Sequence, residues 1–196
     1  MKRLSLYLFL ILCTFQTPSQ ADDISEFEIE GMSVGDTLLK YMSEEKILIE
    51  KETSKNWYAY LGDQIFFEAY IFDISKNFDY VSFFVKSNDA NFIIQAIYGV
   101  IYFEEDISKC YKKQNEIIAE LDDLFKNTNK YSEEEPMGQD PSGKSIMKRT
   151  SYKFTNQDII AVECYDWDES MQKSDPPNPD ILSLSINTKE LFSWIN

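Results

Sequence analysis

Apolar and polar positions alternate with a period of two in several stretches of the chain. Val81, Phe83 and Val85 alternate with Tyr80, Ser82 and Phe84, and Leu182, Leu184 and Ile186 alternate with polar neighbours. Successive side chains of a strand point to opposite faces, so each stretch reads as a strand with one face turned inward. "DIIAVECYDW" behaves the same way, with Ile160, Val162 and Cys164 on one side, and "SIMKRTSYKF" does so more loosely. "FIIQAIYGVIYF" is apolar on both faces, as a central strand covered on both sides would be, with Gly99 as a candidate bulge. "WYAYLGDQIFFEAYIF" reads as one or two strands broken at Gly62–Asp63.

A helical period replaces this alternation over residues 106–127. Ile107, Cys110, Tyr111, Ile117, Ile118, Leu121, Leu124 and Phe125 make one stripe. Glu104, Glu105 and Asp106 stand at its start, where the helix dipole favours negative charge. The stripe turns Cys110 toward the core. Earlier, Ser33 and Asp36 resemble a capping box opening a helix with Val34, Leu38, Leu39 and Met42 on one face. The segment 47–54 fits neither period, and "TKELFSWI" closes the chain as a short helix. Turn-forming residues mark 87–91, a mobile surface loop at 128–144 and a further loop at 171–180. Strands grouped between helices, without strand–helix alternation, predict an α+β fold. The expectation is a mostly antiparallel sheet of about six or seven strands. One long helix and two shorter ones would pack on it.

The ends decide where the chain goes. Lys2 and Arg3, about a dozen apolar residues, and Ser19-x-Ala21 make a secretory signal over residues 1–21. The apolar run is too short for a membrane span, which takes about 20 residues. A lipid anchor on Cys13 is disfavoured by the bulky Leu12 before it. The expectation is one globular domain over residues 22–196, periplasmic or extracellular, without stable membrane insertion after cleavage. The sequence carries 19 Lys+Arg against 34 Asp+Glu, a net charge of −15. That sign speaks against nucleic acid, whose binding rests on basic contacts to phosphates.

Candidate chemistry is sparse. The chain has no histidine, which removes His-based triads and the usual His-containing zinc sites. Cleavage leaves two cysteines, Cys110 and Cys164. In an oxidising compartment such a pair forms a disulfide, and two separate buried thiols are the other reading. "GQDPSGKS" at 138–145 matches the phosphate-loop string. It lacks the buried strand before it and the helix after it, and three glutamates precede it, so no nucleotide is expected. Asp166, Asp168 and Ser170 start like a calcium loop, but Met171 and Pro177 stand where that loop needs Gly and Glu. No metal site and no cofactor are expected. Paired carboxylates are inevitable among so many acids, and none stands out. Trp167 lies between two acids at a strand end, so Asp166, Trp167 and Asp168 are the candidate ligand residues.

"FEIEGMSVGDTLLKYMSEEKI", "ISKCYKKQNEI" and "VECYDW" followed by "INTKELFSWI" together resemble a set of small exported proteins of marine bacteria. The resemblance implies an exported bacterial protein with Cys110 and Cys164 as its cysteine pair, and it carries over no catalytic residues. The functional expectation is a non-enzymatic binding or interaction module for a protein or small-molecule ligand. The alternative is an envelope hydrolase using paired carboxylates.

Overall fold

A short hairpin opens the described chain, β1 (Glu28–Ile29) against β2 (Met32–Ser33). Its two turn residues, Glu30 and Gly31, both have positive φ, as a tight two-residue hairpin turn requires. Helix α1 (Glu44–Thr53) leads into a meander of β3 (Phe66–Phe72), β4 (Tyr80–Lys86) and β5 (Ile94–Tyr102). Helix α2 (Ile107–Leu124) leads into a second meander of β6 (Asn129–Pro136), β7 (Ile146–Lys153), β8 (Ile159–Asp166) and β9 (Ile181–Asn187). A single turn, α3 (Glu169–Gln172), interrupts the β8–β9 connection, and α4 (Lys189–Ile195) follows β9. The structure is a computed structural model and describes residues 23–58, 63–74, 76–103, 106–126 and 128–195. The secretory signal, Gly62, Glu104 and Glu105 lie outside the described residues.

Among the described residues the meanders join through β5 and β9 into one seven-stranded antiparallel sheet, ordered β3-β4-β5-β9-β8-β7-β6. The α+β expectation holds. Alternation gives the sheet two different faces. One carries Phe67, Ala69, Val81, Phe83, Ile97, Ile160, Val162, Leu182 and Ile186, all buried. The hairpin, α1 and α2 cover this face. Each large aliphatic side chain buried there contributes about 1.5–3 kcal/mol against exposure. Gln114 of α2 is also buried, and its amide donates to the Lys148 and Val162 carbonyls at 2.8 and 3.0 Å. A disulfide joins Cys110 of α2 to Cys164 of β8 with a Cα–Cα distance of 6.1 Å. Both cysteines are fully buried, so the bridge staples the long helix to the sheet from within.

Four expectations need correction. The first helix does not start at Ser33, which pairs in β2; α1 starts after Ser43, whose hydroxyl accepts from the Lys46 N–H. The untyped segment 47–54 is therefore largely helix, and Leu39 is exposed in a preceding short turn capped by Thr37. The segment 128–144, expected as loop, contributes strand β6 over Asn129–Pro136, exposed at every position. An edge strand needs little apolar content when charges keep it in solvent, which is why its composition read as loop. Gly99 is in regular register with Val81 and Leu184; the extra residue of β5 is instead Gln95, opposite the Phe84/Val85 step of β4. Leu124, placed on the α2 stripe, is exposed at the helix end.

Candidate functional site

The opposite face of the sheet is polar where it should be apolar. Glu68 on β3, Ser82 on β4, Glu163 on β8 and Ser183, Ser185 and Asn187 on β9 are all buried. Leu191 of α4, with Trp194 and Ile195 beside it, and Tyr58 pack over one end of this face, against Phe66, Phe84 and Ala96. Beside them, and lined in part by Tyr58, Phe84 and Ile195, lies a cavity of about 400 Å³. Its floor holds Ala161 and Ser185, neighbours in register across β8 and β9. Small side chains in the middle row leave room that larger ones would fill.

Two charge systems flank this floor. On one side the Arg149 side chain, largely buried, donates through Nε to Glu163 Oε1 and through Nη1 to Glu133 Oε1 at 3.3 Å. Burial works against the guanidinium charge, but the two carboxylates outweigh it and hold the arginine above its ordinary value. Tyr165 donates its hydroxyl to the other Glu163 oxygen at 3.1 Å. On the other side Glu68 Oε2 accepts the hydroxyls of Tyr58 and Tyr70 at 2.6 and 2.5 Å, and Ser82 donates to the same carboxyl. Burial raises the Glu68 carboxyl above its ordinary value, and these three donors only partly offset it. Between the two systems Tyr98 donates to Asn187 Oδ1 at 2.7 Å, and the Asn187 amide donates to Ser185 Oγ at 2.9 Å. Burial, then the charges of Glu163 and Glu68, push the Tyr98 hydroxyl far up, so it stays a neutral donor.

The start of the phosphate-loop string, with Met137 before it, forms one wall. Met137, Gly138 and Gln139 line the cavity, and Asp140 beneath them organises the turn. Its carboxylate accepts the Ser142, Lys144 and Ser145 N–H groups and the hydroxyls of Ser142 and Ser145. The Ser145 hydroxyl, then the other donors, hold Asp140 well below the ordinary carboxylate range. No helix follows Lys144; Ser145 runs straight into β7, so these backbone N–H groups converge on a carboxylate of the chain itself. Trp167 completes the wall. Its N–H donates to Asp180 Oδ1 at 2.7 Å, and the next N–H, of Asp168, donates to Ser145 Oγ at 2.9 Å.

Of the three candidate ligand residues, the cavity takes in Trp167. Asp166 accepts the Tyr111 hydroxyl at 2.8 Å, on the α2 side of the sheet. Asp168 caps α3 through Ser170 and faces Lys144 at 3.8 Å. Among the described residues no group of three or more Cys, Asp or Glu is arranged to hold a metal ion. Glu68, Glu163, Arg149 and Tyr98 are the functional candidates that sequence reasoning missed. For Glu68 and Glu163 the signal was a charge in the middle of an otherwise apolar strand, "FFEAYIF" and "IIAVECYD"; Arg149 and Tyr98 carried no such signal.

No described helix is long and apolar enough to cross a membrane. No protein-family model matches the chain, and no curated protein or solved structure matches it at a significant level.

Proposed function

We propose that this chain is an exported, non-enzymatic binding module whose ligand occupies the cavity between the polar sheet face, α4 and the 137–139 wall. One observation carries the reading: a cavity within the usual size range of small-molecule sites, whose floor offers neutral and charged hydrogen-bonding groups on rigid strands. A buried disulfide is in keeping with an oxidising compartment.

A hydrolase reading draws on Glu68 and Glu163 lining the same cavity. Their strands stand four positions apart, with Tyr98 on β5, the middle one of the three strands between, so their backbones are about 19 Å apart across the sheet. Paired-carboxylate glycoside cleavage works at about 5–9.5 Å between carboxyls. Glu135 of β6 also lines the cavity, two strands from Glu163, but Glu163 is already engaged by Arg149 and Tyr165, so neither pairing favours cleavage over binding.

Thermal-shift screening of the purified protein against amines, amino acids, sugars and organic acids tests the proposal. One class is expected to raise Tm in the parent and not in Ala161→Phe, which fills the floor. Saturation at 100 times Kd corresponds to about 2.7 kcal/mol. Recovery of the hit as a cleaved product would replace this reading with the hydrolase, and a panel in which no compound discriminates parent from filled variant would end it.

A further inference from the structure

The two charge systems of the cavity are not equivalent. Arg149, the cation of the cavity lining, is already met by Glu163 and Glu133, so it offers little to an incoming anion. Glu68 is the reverse case. It is 6% exposed, it lines the cavity, and among the described residues no Lys or Arg forms an ion pair with it. Its partners are hydroxyls, which hydrogen-bond a carboxylate without neutralising it. A buried carboxylate of this kind either takes up a proton or is met by a cation.

The surroundings of Glu68 suit a cation of a particular kind. The rings of Tyr58 and Phe84 lie 5.5 Å apart between centroids, and those of Phe84 and Tyr98 lie 5.4 Å apart. All three line the cavity with Glu68. Aromatic faces attract an ammonium through the ring quadrupole, most strongly where water is excluded, and their apolar surface takes up attached carbon. A bare metal ion would want several oxygen ligands instead. We infer that the cavity binds a small organic ammonium ion, paired with the Glu68 carboxylate and held against the rings of Tyr58, Phe84 and Tyr98. This inference rests on the binding reading above and names its ligand class.

Binding then depends on pH in a defined sense. The groups acting on Glu68 are Tyr58, Tyr70 and Ser82 by hydrogen bonding, and Glu50 of α1 as a like charge. Tyr80 and Tyr98 feel its charge in turn. The tyrosines remain neutral, so the carboxyl of Glu68 is the group whose ionisation the ammonium needs. Affinity rises with pH through the Glu68 titration, and at pH values inside it binding releases a proton.

Calorimetry on the purified protein with butylammonium chloride and tetramethylammonium chloride tests this, against 1-butanol, sodium butyrate and potassium chloride at matched ionic strength. The expected result is saturable binding of an ammonium probe that strengthens with pH and weakens at least tenfold in Glu68→Gln. Phe84→Leu keeps the carboxylate and removes the central ring; it weakens binding too and covers the case in which Glu68→Gln does not fold. Equal binding of butanol, an equal effect of potassium, or unchanged binding in a folded Glu68→Gln would overturn the inference. If the ammonium probes fail while a neutral compound is blocked by Ala161→Phe, the ligand class falls and the binding reading stands. If nothing binds, both fall.

Discussion

Ser145 donates its hydroxyl to Asp140 Oδ2 at 2.7 Å and with the same oxygen accepts the Asp168 N–H at 2.9 Å. One buried hydroxyl thus couples the β6–β7 turn to the segment that carries Trp167. Ser145→Ala removes both bonds, leaves the Asp168 N–H without this acceptor, and is expected to cost about 2 kcal/mol. Hydrogen exchange should show faster exchange at Ser142, Lys144 and Asp168 together. Acceleration confined to the turn would break the proposed link to the Trp167 wall.

The same turn is expected to resist acid. Asp140 is held below its ordinary value by its donors, so its contribution is present above the unfolded value and is lost only as pH falls through the lower folded value. Turn amides should keep their protection at a pH where an ordinary aspartate, with pKa about 3.9, is half protonated. Asp140→Asn should lose that protection at neutral pH. Equal protection in parent and variant would show that the carboxylate does not organise the turn.

Glu68 has the opposite sign. Its carboxyl is raised above the ordinary value near 4.5, so only at pH between the unfolded and the folded value does the folded state hold a proton that the unfolded state has released. The associated stability is full below the unfolded value and declines as pH rises through the folded one. In Glu68→Gln this decline should vanish, and without ligand the variant should gain on the parent as pH rises. Urea midpoints across pH 4 to 8, a range chosen about the ordinary value, read this directly. A parallel pH dependence in both proteins would place Glu68 in water rather than in a dry site.

The contrast between these residues shows which parts of the fold were legible. Strands β4, β8 and β9 announce themselves because large apolar residues recur at every second position on the helix-covered face, a period that survives even though both faces are largely buried. Strand β6 does not: with every residue exposed, nothing in its pattern separates edge from loop. Helix α1 was hidden for a related reason, since Ile47 is its one fully buried residue and no stripe forms. The cavity escaped because its residues come from strands far apart in sequence. Glu68 and Arg149 become neighbours of one space only when β5 pairs with β9, a register that no local pattern encodes. The disulfide was legible from counting and compartment, not from geometry.

That disulfide should contribute substantially to stability. It closes a separation of 54 residues, for which the chain-entropy model gives roughly 4 kcal/mol. Replacing Cys110 and Cys164 together by Ala adds a small cavity where both sulfurs were fully buried. Denaturant unfolding with and without reductant should show the parent falling toward the double variant when reduced. A double variant equal to the oxidised parent would mean that α2 is held by Gln114 and its apolar stripe alone.

Gly99 is required by a ring rather than by backbone freedom. A Cβ built there would lie 2.6 Å from Phe78 Cε1, with two further ring atoms under 3.0 Å. Phe78 is itself buried, so its ring has little room to retreat. Gly99 lies in the middle of β5, paired to Val81 and Leu184, which holds its backbone from both sides. Gly99→Ala should therefore destabilise by about 1–3 kcal/mol through overpacking, although alanine suits a strand better than glycine. In Phe78→Leu the clash is relieved, so the cost of Gly99→Ala should shrink by at least half. Additive costs in that double-mutant cycle would locate the damage in the strand backbone instead of the ring contact.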